Sequence, residues 1–239
     1  MNNIALITAR SGSKSIKNKN IYSLLGKKLI EYPINIAKQS EKISKIFVDT
    51  DGEDIAKIAK KNNCEVLIRP NKLRGDNISH SEVIRNSLIT IEKKFIDINI
   101  VTVLLGNSVM FDSAIINYSI GFLEKNAKYD SVMSVWESGD DHPYRAMKIK
   151  NNKLISFTKL KNISTNRQSY PKAYFYDQGP WVFRKKNIYK NQGPGPWDWM
   201  GKNCYPIIRN WVTGRDIHTH LDIEISKFWL KNSNKLKKL

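Results

Sequence analysis

Apolar and polar positions alternate along this chain in short blocks. Residues Asn3 to Thr8 are apolar and run into a polar loop, the pattern of a buried strand. The loop from Ala9 to Asn20 is rich in Ser, Lys and Asn. Leu29 to Gln39 carries an apolar stripe at Leu29, Ile30, Pro33, Ile34 and Ala37 and predicts a helix, with Pro33 near its start where a missing N–H costs little. Lys45 to Thr50 predicts a second strand. Asp51 to Asn63 predicts a helix, with Ile55, Ala56, Ile58 and Ala59 on one face and acids in the first turn to suit its dipole. Glu65 to Ile68 (strand), Ser81 to Lys94 (helix), Asn99 to Leu105 (strand), Ser113 to Lys125 (helix) and Ser131 to Trp136 (strand) continue the series. The strand at 99–105 is apolar without alternation, as when both faces of a sheet are covered. Strand and helix alternating at this spacing predict a doubly wound, parallel α/β sheet.

The pattern breaks after Trp136. Residues 137–175 are polar, with a hairpin predicted around Lys150-Asn151-Asn152, and read as an inserted arm. Trp181 to Phe183 returns to strand character. Residues 191–210 are dense in Gly, Pro and Trp and predict an irregular loop. Asp216 is expected to follow a short strand, and Leu221 to Leu230 to form a terminal helix.

Composition narrows the function classes. The 239 residues are 41% hydrophobic, enough for one sizeable packed domain. No apolar run approaches the roughly 18–20 residues that span a bilayer. Arg10 and Lys14 interrupt the first apolar stretch, so no signal peptide is expected. Cys64 and Cys204 lack metal-ligand spacing and fit thiols of a reducing cytoplasm. The net charge of +18 favours an anionic partner. Lys, Asn and Ile are also what AT-rich coding gives regardless of function, and the lysines are spread, as at Lys57, Lys60, Lys61 and the tail, rather than gathered into one nucleic-acid patch. Trp197, Trp199 and Trp211 fall near the expected site entrance, as nucleic-acid stacking residues or, more simply, as core or interface aromatics.

The chemistry concentrates in the first loop. In an open α/β sheet ligands bind beyond the C-terminal strand ends, and here that loop carries Arg10, Ser11, Gly12, Ser13, Lys14, Lys17, Lys19 and Asn20. Small residues let backbone N–H groups approach an anion, and the Arg and Lys side chains can neutralise a triphosphate. The loop is neither a Walker loop nor a dinucleotide fingerprint.

The run Ala9-Arg10-Ser11-Gly12-Ser13-Lys14-Ser15-Ile16, then Lys19-Asn20-Ile21, resembles the acylneuraminate cytidylyltransferase family, the CMP-sialic acid synthetases and their relatives. Further resemblance follows in order: Val48-Asp49-Thr50-Asp51; Arg69-Pro70 with Leu73 and Asp76; His142-Pro143 with Met147-Lys148; and Asp216-Ile217-His218-Thr219 with Leu221-Asp222. The resemblance covers residue 4 to about 228. It implies a Rossmann-like nucleotidyltransferase fold with a mostly parallel sheet, a single domain over 1–239, and a dimerisation arm at 137–175 that makes a homodimer. It implies a cytoplasmic, CTP-dependent enzyme that transfers CMP to an acidic acceptor in capsule or other surface-glycan synthesis. Arg10, Lys14 and Lys19 would act on the phosphates. Ala9 to Lys14, with Asn20, Arg69, Ser79 and Ser81, would hold the nucleotide. Asp216 would ligate magnesium, and Asn107, Ser108, His142, Lys148 and Gln178 would face the acceptor.

Two departures bear on the acceptor. The family's Q-P-T-S-P-like segment is here Gly106-Asn107-Ser108-Val109-Met110, and its second terminal carboxylate is His218. Histidine is a poor magnesium ligand. A phosphate or phosphonate acceptor would bring its own oxygens; alternatively His218 would serve as base for a sugar hydroxyl. A decayed, CTP-binding regulatory protein and a basic nucleic-acid-binding protein are the rival readings. Asp51 reads either as an orienter of the first loop or as a helix cap.

Overall fold

The structure is a computed structural model. It describes all residues except Met1, Lys14, Asp76, Ile96, Lys161, Asn162 and 237–239, and the backbone alone of 234–236. The first strand, β1 (Asn2–Thr8), is buried on both faces. Ile4 and Leu6 enter one core and Ala5 and Ile7 the other, and all four are 0% exposed. That placement requires helices above and below, and the chain supplies them.

After two short antiparallel strands, β2 (Ser23–Leu24) and β3 (Lys27–Lys28), come α1 (Glu31–Lys38), β4 (Lys45–Thr50), α2 (Glu53–Lys61), β5 (Glu65–Ile68), α3 (His80–Glu92), β6 (Ile98–Leu105), α4 (Ser113–Lys125) and β7 (Ser131–Glu137). The apolar stripes of α1, α2 and α4 pack on one sheet face, through Ile34, Ala37, Ile55, Ala59, Ile116 and Leu123. Ile84, Leu88 and Ile91 of α3 pack on the other, with Trp181, Phe183 and Trp199. Helix α3 begins at a capping box in which Ser79 accepts from the Glu82 N–H and Glu82 reaches back, which satisfies two otherwise orphan donors.

The remaining elements are a hairpin of β8 (Met147–Lys150) and β9 (Lys153–Ser156), then β10 (Tyr174–Arg184), β11 (Cys204–Ile208) and α5 (His220–Leu236). The central sheet has seven strands in the order β11-β7-β10-β6-β1-β4-β5. All its pairings are parallel except those of β10, which runs antiparallel between β6 and β7. This is the expected doubly wound α/β sheet, mostly parallel. Among the described residues no helix is long and apolar enough to cross a membrane.

Three local expectations are corrected. The strand expected at 181–183 starts seven residues earlier, at Tyr174, because a register shift between Tyr176 and Trp181 hides its continuity behind polar Asp177 and Gln178. The loop expected over 191–210 contains β11, a short edge strand that tolerates Pro206 because one side of an edge strand needs no N–H. Asp216 does not follow a strand directly: β11 ends at Ile208, and a turn over 211–214 intervenes. The β8/β9 hairpin with its turn at Asn151-Asn152 is as expected, outside the central sheet.

Candidate functional site

The site lies where β1, β4 and β6 end. Beyond Thr8 the chain turns into the basic loop, whose entry is pinned by the Ala9 N–H donating to the Asp49 carbonyl. The Ser11 N–H donates to Asp51 Oδ1 at 2.7 Å. Asp51 does not cap α2; the N-cap is Gly52, with no side-chain bond, so the carboxylate orients the first loop. Asn20 is buried, and its Nδ2 donates to the Arg10 carbonyl at 2.8 Å. Gly106 lies against this turn. A Cβ there would sit 2.7 Å from Ala9 Cβ and 2.9 Å from Asn20 Oδ1. Gly12 and Ser13 form the loop tip, and Lys14 lies outside the described residues.

The distant end of the chain closes on this loop. Lys19 Nζ donates to the Ile217 carbonyl at 2.7 Å. Burial lowers the Lys19 pKa, while Asp216 pulls it back up. Asn107 is buried at the end of β6, and its Nδ2 donates to Asp216 Oδ2 at 2.7 Å and to the Ile217 carbonyl at 2.9 Å. Asp216 Oδ1 stands 2.7 Å from His218 Nε2, and the hydrogen bond to Asp216 raises the His218 pKa. Asp222 accepts the N–H groups of His218 and Thr219 and the Thr219 hydroxyl on one oxygen, and Arg215 on the other. Burial opposes its charge, but Arg215 and the Thr219 and His218 donors outweigh that and bring its pKa down to about 2.

Two cavities flank this junction. One, of about 210 Å³, is lined by Thr8, Arg10, Arg69, Ile78, His80 and Leu105 among others. Arg69 is fixed there by Asp49, with Nε to Oδ1 at 2.6 Å, and Ser87 Oγ donates to the other carboxylate oxygen. Burial raises the Asp49 pKa against the pull of Arg69. His80 Nε2 is 2.9 Å from Thr8 Oγ1, and its ring meets Trp181 edge-on. Burial, reinforced by Arg69, lowers the His80 pKa to about 4, so the ring is neutral at physiological pH. Ser79 and Ser81 sit at the start of α3 beside Ile78 and His80, with hydroxyls bonded to each other.

The second cavity, of about 320 Å³, is lined by Trp136, Asp141, Gln178, Arg215, Asp216 and His218, with Trp211 and Tyr176 at its walls. Ser108 donates from its Oγ to the Gln178 carbonyl at 3.2 Å, which ties the end of β6 to β10. Behind it Asp177 is fully buried, bonded to Ser134 and the Gly179 N–H and paired with Arg209 at 2.9 Å. Its burial raises its pKa despite Arg209.

Of the residues expected from the sequence, the structure gathers Arg10, Lys19, Asn20, Asn107, Asp216 and His218 around one junction and sets Arg69 and Gln178 in the flanking cavities. It does not bring in His142 and Lys148. His142 is buried in the arm, where Nδ1 accepts the Tyr144 N–H and Nε2 faces the Pro171 carbonyl, so it orders the loop. Lys148 stands on the exposed hairpin with its ammonium 5.8 Å from the Phe157 ring. Trp199 is core, Trp197 packs on Tyr176, and only Trp211 reaches the cavity. Sequence reasoning assigned no role to His80, Asp177, Arg209 or Arg215. His80 adjoins a helix cap, a visible signal; the Asp177–Arg209 pair spans 32 residues with no motif.

Residues 4–205 match the family described as "Cytidylyltransferase". The chain is similar to the Post-translational flagellin modification protein B of Campylobacter coli, at 29% identity over 233 residues, covering 97% of this chain and 96% of that one. It is similar to the CMP-N,N'-diacetyllegionaminic acid synthase of Campylobacter jejuni, at 29% identity, covering 97% and 96%. It is 29% identical to the N-acylneuraminate cytidylyltransferase of Escherichia coli over 93% of this chain, and spans about half, 51%, of that relative's length. The solved structure of CMP:2-keto-3-deoxy-manno-octonic acid synthetase complexed with CTP shares the fold, with a TM-score of 0.68 at 13% identity, covering 98% of this chain and 100% of that one.

Proposed function

The chain belongs to the cytidylyltransferase family, and from that premise we propose that it transfers CMP from CTP to a nonulosonic acid, releasing pyrophosphate, to supply a surface glycan. The observation that carries the reading is the junction of the basic loop with Asp216. Lys19 reaches the Ile217 carbonyl, and Asn107 holds Asp216 and the same carbonyl. Cations for a triphosphate and a carboxylate for the reacting end are thereby held together by a buried amide.

In this reading the triphosphate lies along the loop, against the N–H groups of Gly12 and Ser13 and the side chains of Arg10 and Lys19. Arg69 and His80 line the 210 Å³ cavity that takes the base and ribose. The acceptor fills the 320 Å³ cavity beside Asp216. The acceptor hydroxyl attacks the α-phosphorus in line and gives up its proton to water, the bond to the β-phosphate oxygen breaks, and pyrophosphate leaves. Catalysis of this kind is positioning and charge neutralisation. Arg10 and Lys19 offset the charge that develops on the leaving group. Removing one such donor typically lowers turnover by ~10²–10³.

Magnesium fits the donor set in one way. Among the described residues no group of three or more His, Cys, Asp or Glu could cage a metal. Magnesium is commonly held by one or two carboxylates, with water and substrate phosphates completing the octahedron. Asp216 meets that need, with each oxygen engaged by one donor, Asn107 or His218. Magnesium would supply charge neutralisation across the phosphates. His218 is assigned to orienting Asp216.

The arm at 137–175 is proposed to pair two copies of the chain. Cross-strand partners Ile149 and Leu154 share one hairpin face with Met147, all exposed, while Lys148, Lys150 and Lys153 take the other together with Ile155.

The test supplies CTP, magnesium and a panel of acceptors: sialic and legionaminic acids, a sugar phosphate and an alkyl phosphonate. Pyrophosphate release with the nonulosonic acids alone is expected. Release only with the phosphate or phosphonate overturns the acceptor class. CTP binding without turnover on any acceptor overturns the enzyme.

A further inference from the structure

An acidic acceptor needs a cation, and the positions expected to provide one, His142 and Lys148, are absent from the cavity. Arg209 runs behind it, but both of its Nη atoms are already engaged. Its guanidinium donates to Asp177 and to the carbonyls of Gly179, Met110 and Thr213. The remaining guanidinium in the cavity wall is Arg215. Resting on the transferase reading above, we propose that Arg215 is the acceptor-binding residue that receives the acidic group of the acceptor and thereby aims its hydroxyl at the α-phosphorus.

The geometry is that of a preset fork. Nε and Nη2 of Arg215 both donate to Asp222 Oδ1, at 3.3 and 2.9 Å. Asp222 is itself fixed through its other oxygen by His218, Thr219 and the Thr219 hydroxyl. The guanidinium carbon lies 5.7 Å from the centre of the Trp211 ring. One edge of the guanidinium is therefore anchored, while Nη1 bonds to none of the described residues and the side chain stays 44% exposed. Holding one edge in place removes most of the rotamer entropy that a free arginine loses on binding, and guanidinium geometry matches a carboxylate or phosphate.

Charge fixes the direction of approach. Asp141 and Asp216 line the same cavity and repel an anion, so the acid must lie on the Arg215 side. In a nonulosonic acid the carboxylate is attached to the carbon that bears the attacking hydroxyl. A carboxylate on Arg215 therefore turns that hydroxyl toward the adjacent Asp216. A phosphorylated acceptor has the same anionic handle, but there the bound group is itself the nucleophile.

The experiment compares wild type, Arg215→Met and Arg215→Lys, with CTP binding and thermal unfolding as checks on the fold. With a nonulosonic acid, Arg215→Met is expected to raise the acceptor KM roughly ten- to a hundredfold, the size of a lost charged hydrogen bond, and to lower kcat as the hydroxyl loses its aim, with the CTP KM nearly unchanged. Arg215→Lys recovers part of the loss. With a phosphate acceptor, whose bound group is itself the nucleophile, kcat falls further relative to the change in KM, which separates the two sources of the acid. Calorimetry of the sialic acid and its methyl ester, with CMP present, reads the contact without turnover. Wild type should favour the acid over the ester, and Arg215→Met should not distinguish them. Equal preference in both proteins, or a CTP KM rising in step with the acceptor KM, overturns the assignment. Failure of the transferase reading would show instead as wild type releasing no pyrophosphate while still preferring the acid.

Discussion

At the scale of single residues, the site depends on side chains that hold other groups in place. Asp51 spends its carboxylate on the Ser11 N–H rather than on its own helix. Asp51→Ala should therefore raise the CTP KM several-fold while shifting the unfolding midpoint little, whereas loss of a true N-cap costs about 1 kcal/mol. Titration calorimetry with CTP and a thermal melt separate the two outcomes. His80 gives a pH signature. Its folded pKa is about 4, against an ordinary value of 6.5. As pH falls below 6.5 the unfolded chain takes the proton first, so the folded state loses stability down to about pH 4 and loses no more from this group below that. Melting midpoints of wild type should drop across that window, and His80→Gln should flatten the drop; parallel curves for the two proteins would refute the burial of a neutral ring. Asp222, with its pKa near 2, adds a loss of stability only below the ordinary carboxylate range.

At the scale of elements, β1, β4, β6 and the stripes of α1 to α4 were legible because each lies in the middle of the sheet or directly upon it, where burial forces a period on the residues. β10 and β11 were not. The first is interrupted by Asp177, which is satisfied in its buried place by Ser134 and Arg209, from two distant places in the chain, and by the Gly179 N–H two residues on. The second is an edge with Pro206 in it. The loop's basic, small-residue character was likewise legible from Arg10, Gly12 and Lys19, whereas its closure by Asn107 and Ile217 joins segments 110 residues apart, and no local pattern records that. Gly106 is the point of close packing behind this closure. Gly106→Ala places a Cβ 2.7 Å from Ala9 Cβ, 2.9 Å from Asn20 Oδ1 and 3.1 Å from Ile30 Cδ1. Overpacking of this kind costs ~1–3 kcal/mol. The expected result is a lower denaturant midpoint together with weakened CTP binding, because Asn20 is displaced from the Arg10 carbonyl. Wild-type affinity in the variant would mean that Asn20 does not position the loop.

At the scale of the whole molecule, the charge of +18 is distributed, and one place where it is ordered is the arm. The β8/β9 hairpin gathers Met147, Ile149 and Leu154 on one face and its three lysines, with Ile155, on the other, although neither face packs on the central sheet. Ile149 is 76% exposed and Leu154 72%, directly opposite each other. Apolar side chains on an outlying hairpin are stabilised by a partner surface, and a second copy supplies one at no further cost in specificity. The double variant Ile149→Asp, Leu154→Asp removes that face without touching the core, since both side chains already meet solvent in the single chain. Sedimentation should therefore find wild type at about twice 27.6 kDa and the variant at the monomer mass, with the far-UV spectrum and CTP binding retained. A monomeric wild type, or a variant that still dimerises, would remove the arm from the interface. Acceptor turnover by the monomeric variant then reads a second quantity. The 320 Å³ cavity is lined within one chain by Gln178, Arg215 and Asp216, so turnover should persist on separation of the copies, with the acceptor KM raised only to the extent that the partner's arm covers the mouth of the cavity.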